Sequence, residues 1–555
     1  MHHRLIFVFT LIFSTTIYSQ HFAEAKKWMI TSQGNDSSKA AYEVIKQGGN
    51  IIDAFAALSF AISVERPQST GIGGGGFLLY FDPKKMKKPT SLDFRETAPL
   101  KGHSKMYLDK EGNEIKNKSL IGVSAGGVPG LVHGVLTAHQ KWGKLPLKKV
   151  MAPAIKMARE GIVVYPGLIS AISYMKKHLS KFTDSKKIFL SKEFKVGDRL
   201  KQEDLARTLE IIAEKGISGF YEGEIADKIV GSIKSRGGYF SKKDLSSYQT
   251  IERSVVEGSY KDYQIYSMGP PSSGGIHVVQ ILQTLENFEF DYPLSKKTVH
   301  LVSSAMQRAF VDRARFLGDA DFVDVPIKKL ISKDYAKSLS QKINIKRATP
   351  SKSLLDKEDL FKESSETTHF TIMDNEGRVV SSTQTINGWF GSTFVIPGTG
   401  IVLNNEMDDF ATKVGASNLF GAIGGKNNLI EPKKRPLSSM SPTIVMDKKS
   451  NKTLMALGTP SGTRILTCVM QTIFNVLEFK LPLLEAVKIP RYHHQWYPDE
   501  IRVGTGFPLK LQKELSAKGH KIKGKPLGCR IQAIKLGEKL IGVSDPRGEG
   551  LALGL

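Results

Sequence analysis

The chain has little cysteine and, after its first residues, no long apolar run. Only Cys468 and Cys529 occur among 555 residues, which excludes a disulfide framework as the main source of stability. The two cysteines could form one bridge in an oxidising compartment, or Cys468, inside the apolar stretch ILTCVMQTIF, could be a buried and inert thiol. No later segment approaches 18 uninterrupted apolar residues, so we expect no stable membrane span.

Motifs for nucleotides and metals are also missing. The chain has no Walker A loop, no HExxH helix and no CxxC pair. His493 and His494 are adjacent, so on a strand their side chains face opposite sides and cannot share a metal ion. The run from Gly71 to Gly76 fits GxGxxG, but the strand-like FLLYF follows it instead of a helix. A glycine loop that allows close backbone approach is the better interpretation.

Acidic residues are outnumbered by basic ones. With 79 Lys and Arg against 54 Asp and Glu, the formal net charge is +25. The basic residues are spread along the chain in short runs without interleaved aromatic residues, which favours solvated basic faces over a nucleic-acid site. Such a charge would still attract acidic surfaces and anionic substrates.

The first 19 residues differ from the rest of the chain. A short positive start, MHHR, precedes the apolar run LIFVFTLIF, and a small polar stretch offers a cleavage point after Ser19. This pattern is typical of a secretory signal peptide. If it is a signal peptide, the protein is expected to be periplasmic or secreted. An uncleaved N-terminal anchor is the alternative interpretation.

The remaining chain alternates helical and strand-like segments up to about residue 365. Apolar spacing predicts two helices joined at Gly48-Gly49 within residues 40–64, further helices within 131–161, and an amphipathic helix over 199–216. Residues 340–366 are charged, rich in serine and poor in large apolar residues, which indicates a mobile connector.

A predicted hairpin follows the connector. Its two β-type runs, TTHFTIMD and RVVSSTQTI, flank a turn that contains Glu376 and Gly377. Thr367 and Thr385 are equidistant from Glu376, so they lie opposite each other on one face unless a bulge at Gly377 shifts the register. Taken alone, this pattern favours an ordinary threonine pair on a solvated sheet.

Ten sequence blocks resemble the γ-glutamyltranspeptidase family. They occur in the family's order, cover nearly everything after the first 19 residues, and extend the similarity to the acylase relatives of that family. The blocks are TGIGGGGF (70–77), DFRETAP (93–99), PPSSGGIH (270–277), ETTHFT (366–371), TQTIN (383–387), LNNEMDDF (403–410), RPLSSMSPTIV (435–445), GTPSGTRI (458–465), HHQWYPDE (493–500) and SDPRGEG (544–550).

The resemblance implies an α+β fold, the four-layer αββα sandwich of N-terminal-nucleophile hydrolases. It also implies autoproteolysis between Glu366 and Thr367, which would give a large subunit, 20–366, and a small subunit, 367–555, intertwined in one domain as a heterodimer. A threonine hydroxyl is a weak nucleophile near neutral pH and needs a base within hydrogen-bond distance. Once Thr367 begins a chain, its own α-amine, with an ordinary pKa of about 8, can serve as that base.

The resemblance also implies roles for individual residues. Thr385 matches the second threonine that hydrogen-bonds the nucleophile, in agreement with the hairpin register. Six residues match those around the glutamyl head: Arg95, Ser438 and Ser439 at its α-carboxylate, and Asn387, Glu406 and Asp409 at its α-amine. A zwitterion requires such a division, with a bidentate guanidinium at one end and anionic groups at the other.

Two positions depart from the family's pattern. Ser461-Gly462 stands where members commonly have two glycines whose N–H groups form the oxyanion hole. Serine still supplies an N–H, but the tolerance of this site for a side chain comes into question. In the loop 408–425, Phe420 replaces a tyrosine that in bacterial members ties the lid to the asparagine matched by Asn387, which implies a looser lid and a larger share of hydrolysis.

The sequence therefore predicts a γ-glutamyl transferase and hydrolase that acts on glutathione, glutamine or γ-glutamyl amino acids. The γ-glutamyl ester on Thr367 would pass to water or to an amino-acid or dipeptide acceptor, and no metal or organic cofactor is implied. A related cephalosporin or glutaryl acylase, or a poly-γ-glutamate-processing enzyme, is the first alternative. Glu406 and Asp409 argue against a glutaryl acylase, whose substrate has no α-amine. A non-catalytic binding protein of the same fold is the second alternative.

Overall fold

The structure is a computed structural model that describes residues 20–354, 367–413, 415, 418–419 and 424–555. In chain order its helices are α1 Asn35–Lys46, α2 Ile51–Glu65, α3 Leu131–Trp142, α4 Leu147–Glu160, α5 Pro166–Leu179, α6 Thr183–Phe189, α7 Glu203–Lys215, α8 Ser218–Tyr221, α9 Gly223–Lys234, α10 Lys242–Ser246, α11 Gly274–Leu285, α12 Lys296–Phe316, α13 Ile327–Leu330, α14 Lys333–Gln341, α15 Arg464–Leu477, α16 Leu483–Lys488 and α17 Leu509–Ala517.

The strands are β1 Phe22–Ala25, β2 Trp28–Ser32, β3 Gly75–Phe81, β4 Thr90–Phe94, β5 Ile162–Val163, β6 Arg199–Leu200, β7 Ile251–Arg253, β8 Val256–Tyr260, β9 Tyr263–Ser267, β10 Thr368–Asp374, β11 Val379–Thr385, β12 Val395–Ile396, β13 Ile401–Val402, β14 Thr443–Asp447, β15 Thr453–Gly458, β16 Tyr492–His493, β17 Ile501–Val503, β18 Ile522–Gly524, β19 Gln532–Leu536, β20 Leu540–Ser544 and β21 Leu551–Gly554. Most of them form two seven-stranded antiparallel sheets. The first sheet has the order β1-β20-β19-β15-β14-β9-β8, and the second has the order β21-β2-β10-β11-β3-β4-β7.

The two sheets pack face to face between two helical layers. Strands β10 and β11 of the second sheet contact β19 and β15 of the first. Helices α2 and α3 cover the outer face of the second sheet, while α11, α15 and α16 lie against the first. Each sheet shares a large buried apolar cluster with its own helical layer. This arrangement confirms the predicted αββα sandwich.

In the β10–β11 hairpin, alternate side chains face the helical layer and the other sheet. Alternate side chains of a strand point to opposite faces. Phe370 and Ile372 belong to the apolar cluster with α2, and the rings of Phe55 and Phe370 lie 5.9 Å apart. On the other face, Thr371 Oγ1 donates to the Gln532 carbonyl oxygen of the first sheet. The side chain of Thr367, four residues earlier, therefore belongs to the face between the sheets.

The predicted helices are present with small differences at their ends. Helices α1 and α2 meet around Gly48 and Gly49, as expected. The predicted helix 199–216 begins late, at Glu203, because Arg199–Leu200 pairs as a strand with Ile162–Val163. No helix in the described ranges is both long enough and apolar enough to span a bilayer.

Cys468 and Cys529 form a disulfide. The interpretation of Cys468 as a buried free thiol was therefore wrong, although the residue is fully buried. The bridge joins α15 to the segment before β19. It holds together two parts of the chain that border the site described next.

Candidate active site

The site lies where several strands of both sheets begin or end at the same edge. In the second sheet, β3 lies between β11 and β4, and both neighbours run antiparallel to it. The ends of β11 and β4 therefore lie on either side of the start of β3. In the first sheet, the start of β14 lies beside the end of β15. Connecting segments at strand ends carry binding residues without disturbing the core.

The glycine loop before β3 packs directly against this edge. A Cβ atom at Gly74 would lie 2.0 Å from the Thr385 carbonyl oxygen, and one at Gly73 would lie 2.2 Å from the Val402 carbonyl oxygen. Only glycine fits at such distances. The loop thus serves close backbone approach, and a strand follows it, as the sequence predicted.

Thr367 and Thr385 face each other at this edge. The register of the hairpin pairs Thr368 with Gln384 and continues without a shift to Met373 and Val379, so the turn at Gly377, whose φ is +82°, does not displace it. Thr367 Oγ1 donates to Thr385 Oγ1 across 3.3 Å, and Thr385 Oγ1 accepts the Asn387 N–H at 2.8 Å. The predicted opposition of the two threonines is confirmed, and both are buried instead of lying on a solvated sheet.

Arg95 forms the centre of a buried charge cluster. It follows β4, its side chain is 1% exposed, and its Nη1 lies 2.8 Å from Glu406 Oε2. Its Nη2 donates to Asp409 Oδ2 at 2.5 Å. Glu406 and Asp409 belong to one 3-10 turn, Glu406–Asp409, which presents both carboxylates to the guanidinium. Sequence comparison thus grouped three residues that are in contact.

Burial shifts the pKa values in this cluster. It raises the pKa of Glu96 to about 8, although Arg95 acts in the opposite direction. Burial also raises the pKa of Glu406 well above its ordinary value, again against the influence of Arg95. Desolvation alone would lower the pKa of Arg95, but Glu406 and Asp409 raise it, so the guanidinium stays charged.

Two serines line the same cavity as the charge cluster. Ser438 and Ser439 precede β14, and the loop is fixed by Ser273, whose N–H and Oγ both donate to the Ser438 carbonyl oxygen at 2.9 Å. Ser438 Oγ accepts the Met440 N–H at 3.1 Å. Both serines are buried, with Ser439 8% exposed.

The loop between β15 and α15 completes the site. Gly462 has a φ of +54° and Ser461 a φ of +117°, a region that favours glycine. The Ser461 side chain turns away from the cavity: its Oγ donates to the Leu527 carbonyl oxygen at 2.6 Å and accepts the Arg464 Nε–H at 3.2 Å. A side chain is therefore accommodated at this position, at the cost of an unfavourable backbone conformation.

These segments enclose one small cavity with a free volume of about 20 Å³, which is room for about one water molecule. Arg95 and Asp409, which both line it, contact each other. Eight predicted residues line it together: Thr367, Thr385, Arg95, Asn387, Glu406, Asp409, Ser438 and Ser439, with Gly462 as a ninth. Ser461 does not line it, and Glu366 and Phe420 lie outside the described residues.

Three further polar residues line the cavity that sequence reasoning missed: Thr463, Asn418 and Arg313. Asn418 donates from Nδ2 to Asp409 Oδ1 at 2.8 Å. Arg313, on α12, approaches from the side of the serines. No signal in the sequence marks Arg313, since a single arginine near the end of an amphipathic helix is usually a surface residue.

A larger cavity of about 700 Å³ adjoins the small one through Asn418. Trp389 and Tyr174 meet edge to face there, with ring centroids 5.0 Å apart. A GxSxG sequence at 122–126 is not a nucleophile elbow, because Val123–Ala125 is a 3-10 turn and Ser124 Oγ donates to the Lys118 carbonyl oxygen.

Curated relatives align with this chain over almost its whole length. The chain is 43% identical over 534 residues to the glutathione hydrolase proenzyme of Escherichia coli (strain K12), covering 95% of this chain and 91% of the relative. It is 42% identical over 565 residues to the protein of the same name from Pseudomonas sp. (strain A14), covering 98% and 97%.

Solved structures agree with the fold. The cephalosporin acylase from Bacillus halodurans superposes with a TM-score of 0.83 at 26% identity, covering 99% of both chains. Helicobacter pylori gamma-glutamyltranspeptidase superposes with a TM-score of 0.57 at 39% identity, covering 58% of this chain and 93% of that one. The sequence profile of the family described as Gamma-glutamyltranspeptidase matches residues 37–555, and the chain therefore belongs to that family.

Proposed function

We propose that this protein is a γ-glutamyl transferase and glutathione hydrolase that cleaves itself between Glu366 and Thr367. One observation carries the proposal: the hydroxyl of Thr367 opens into the same cavity as a buried guanidinium and two buried carboxylates. A nucleophile beside a site divided between positive and negative charge suits a zwitterionic acyl donor.

Binding would separate the contact between Arg95 and Asp409. The α-carboxylate of the donor takes the place of Asp409 beside Arg95, and the α-ammonium group takes the place of Arg95 beside Asp409. Each buried charge keeps a partner of opposite sign, so the exchange avoids leaving an unpaired charge in the interior. The γ-carbonyl carbon then lies toward Thr367.

The reaction proceeds through an ester on Thr367. The α-amine released by self-cleavage accepts the hydroxyl proton as Thr367 attacks the γ-carbonyl, and it passes this proton to the nitrogen of the leaving amine when the γ-amide bond breaks. The backbone N–H groups of Ser461 and Gly462 stabilise the oxyanion, and Thr385 orients the nucleophile. Water, an amino acid or a dipeptide then resolves the ester, and the larger cavity offers room for the part of the donor or acceptor outside the glutamyl group.

Glutathione, glutamine and γ-glutamyl amino acids are the proposed donors. The names of the curated relatives support glutathione. The likeness to a cephalosporin acylase keeps a glutaryl acylase as the second candidate. Glu406 and Asp409 favour the γ-glutamyl reaction, because a glutaryl group would leave both carboxylates without an ammonium partner.

We also propose export to the periplasm or the medium. The pattern of residues 1–19 supports a cleaved signal peptide. The disulfide between Cys468 and Cys529 suits an oxidising compartment. N-terminal sequencing of the mature protein should identify Gln20 as the first residue of the large subunit.

Gel analysis and a turnover assay test the proposed function together. The purified protein should separate under denaturing conditions into two fragments, the smaller comprising 189 residues, 367–555. It should cleave γ-glutamyl-p-nitroanilide and glutathione. Thr367→Ala should remain one chain and lose activity, while Thr367→Ser should retain both reactions at a reduced rate. A wild-type chain that stays whole, or that cleaves glutaryl-p-nitroanilide faster than the γ-glutamyl compound, would contradict the proposal.

A further inference from the structure

Arg313 is a second buried arginine at the glutamyl cavity. It belongs to the last turn of α12, is 5% exposed and lines the cavity together with Arg95. The Arg95 guanidinium has three carboxylates within 4.0 Å, those of Glu96, Glu406 and Asp409. Within the described ranges, no carboxylate oxygen lies within 4.0 Å of the Arg313 guanidinium. A buried cation without such a neighbour is costly, and its presence beside a binding site needs a reason.

The guanidinium of Arg313 is fixed by the serine loop. Its Nε donates to Ser273 Oγ at 3.1 Å, and its Nη2 donates to Ser439 Oγ at 3.5 Å. Ser273 in turn donates to the Ser438 carbonyl oxygen at 2.9 Å. Arg313 thus fixes the loop, and because Ser439 Oγ accepts its hydrogen bond, the hydrogen of the Ser439 hydroxyl can point toward the cavity.

Two buried guanidinium groups line the cavity, those of Arg95 and Arg313. Burial lowers the pKa of Arg313 to about 10, partly offset by Asp409, so the residue stays protonated at neutral pH. Burial raises the pKa of Glu96 to about 8 and that of Glu406 well above its ordinary value. Arg313 therefore adds a second buried positive charge to the cavity besides that of Arg95.

We propose that Arg313 is a positioning residue for the α-carboxylate of the donor. It orients the Ser439 hydroxyl as a donor toward that carboxylate and adds a second positive charge on the side of the serines. This inference rests on the proposed γ-glutamyl function and specifies how the site selects its substrate. It predicts that Arg313 matters only for ligands that carry the α-carboxylate.

Three p-nitroanilides separate this role from a general structural one. The γ-glutamyl compound carries both head groups, the glutaryl compound lacks the α-amine, and the 4-aminobutyryl compound lacks the α-carboxylate. For Arg313→Gln we expect kcat/KM to fall at least tenfold with the first two donors, mainly through KM. With the 4-aminobutyryl donor it should stay within threefold of wild type. Arg313→Lys, which keeps the charge but loses the forked geometry, should give intermediate values with the same order of donors.

Arg308→Gln is the matched control. Arg308 is another buried arginine of α12, 4% exposed, but its guanidinium donates to the carbonyl oxygens of Ser304 and Lys342, away from the cavity. Its replacement should lower stability without changing the preference among the three donors. Should Arg313→Gln fail to fold or to cleave itself, Arg313→Lys carries the same comparison.

The outcomes distinguish this inference from the proposed function. An equal loss with all three donors, or no loss with the γ-glutamyl donor, would overturn the role of Arg313 while leaving the activity established. A wild-type protein that cleaves no γ-glutamyl donor would overturn the proposed function itself. Ser439→Ala should reproduce the donor preference of Arg313→Gln, and the double variant should lose little more than either single variant.

Discussion

At the scale of single residues, Ser461 has an unfavourable backbone conformation and a side chain held by hydrogen bonds. Its φ of +117° suits glycine, yet its buried hydroxyl bonds to Leu527 and Arg464. Ser461→Ala keeps the strain and loses the hydrogen bonds, which should lower the free energy of unfolding by about 2 kcal/mol. Ser461→Gly loses the same bonds but relieves the strain, so it should be more stable than the alanine variant by about 1 kcal/mol.

Thermal unfolding and steady-state kinetics on both variants test this interpretation. Each keeps the backbone N–H of position 461, so kcat/KM should stay within about threefold of wild type. A correctly processed Ser461→Ala enzyme with a hundredfold lower kcat would instead show that the hydroxyl takes part in the reaction.

Glu96 should make stability depend on pH. Its folded-state pKa of about 8 exceeds the ordinary value of 4.5. Between pH 4.5 and pH 8, Glu96 is therefore protonated in the folded protein and ionised in the unfolded chain. Its contribution to stability is therefore present below about pH 4.5 and is lost as the pH rises to 8. Glu96→Gln does not titrate, and its stability relative to wild type should increase from pH 5 to pH 9 by a few kcal/mol at most.

The comparison requires melting curves of both proteins at the two pH values. A difference in Tm that is the same at pH 5 and pH 9 would mean that Glu96 is not protonated in the folded state near neutral pH.

What the sequence predicts at this scale depends on how local the signal is. The facing of Thr367 and Thr385 follows from counting residues across a turn, and the structure confirms it. Arg313 reaches the site only through the packing of α12 against the serine loop. This packing depends on residues far apart in the sequence, so the sequence alone did not indicate that Arg313 belongs to the site.

At the scale of elements, the disulfide supports the loop that holds Ser461. Cys529 follows closely on Leu527, whose carbonyl accepts the Ser461 hydroxyl, and the N–H of Arg530 donates to Thr459 Oγ1 at 2.7 Å. The bridge closes a separation of 61 residues. Replacing both cysteines by alanine should lower the free energy of unfolding by about 2–4 kcal/mol. It should also lower kcat while changing KM less, because the loop carries the proposed oxyanion donors.

Denaturant unfolding and donor kinetics measure the two effects. The control is the folded wild-type protein incubated with reductant. Because both cysteines are buried, the disulfide should resist reduction there, and the unfolding midpoint should not change. An unchanged midpoint in the double variant would show that the bridge contributes nothing to stability. The pairing itself was not predictable from sequence, because it depends on the distance between α15 and a segment far along the chain.

At the scale of the whole molecule, both sheets combine strands from the two sides of Thr367. The second sheet places β10, β11 and β21 among β2, β3, β4 and β7. The first sheet joins β1, β8 and β9 to β14, β15, β19 and β20. The proposed subunits therefore share both sheets, and neither contains a complete sheet.

The two fragments should consequently behave as one particle after self-cleavage. We expect them to co-elute in size-exclusion chromatography at any dilution and to unfold in a single thermal transition. They should separate only in denaturant. Release of the 189-residue fragment on dilution would contradict this expectation.

The strand order also sets when the enzyme becomes active. Strand β10, which begins next to Thr367, lies beside β2 from the start of the chain and against β19 from near its end. The edge strand β21, next to β2, uses Leu551–Gly554. During synthesis, the surroundings of Thr367 cannot assemble until β19 and β21 have been added. The proposed self-cleavage would therefore be delayed until the strands on both sides of Thr367 are present, and the growing chain would carry Thr367 in an inert form until then.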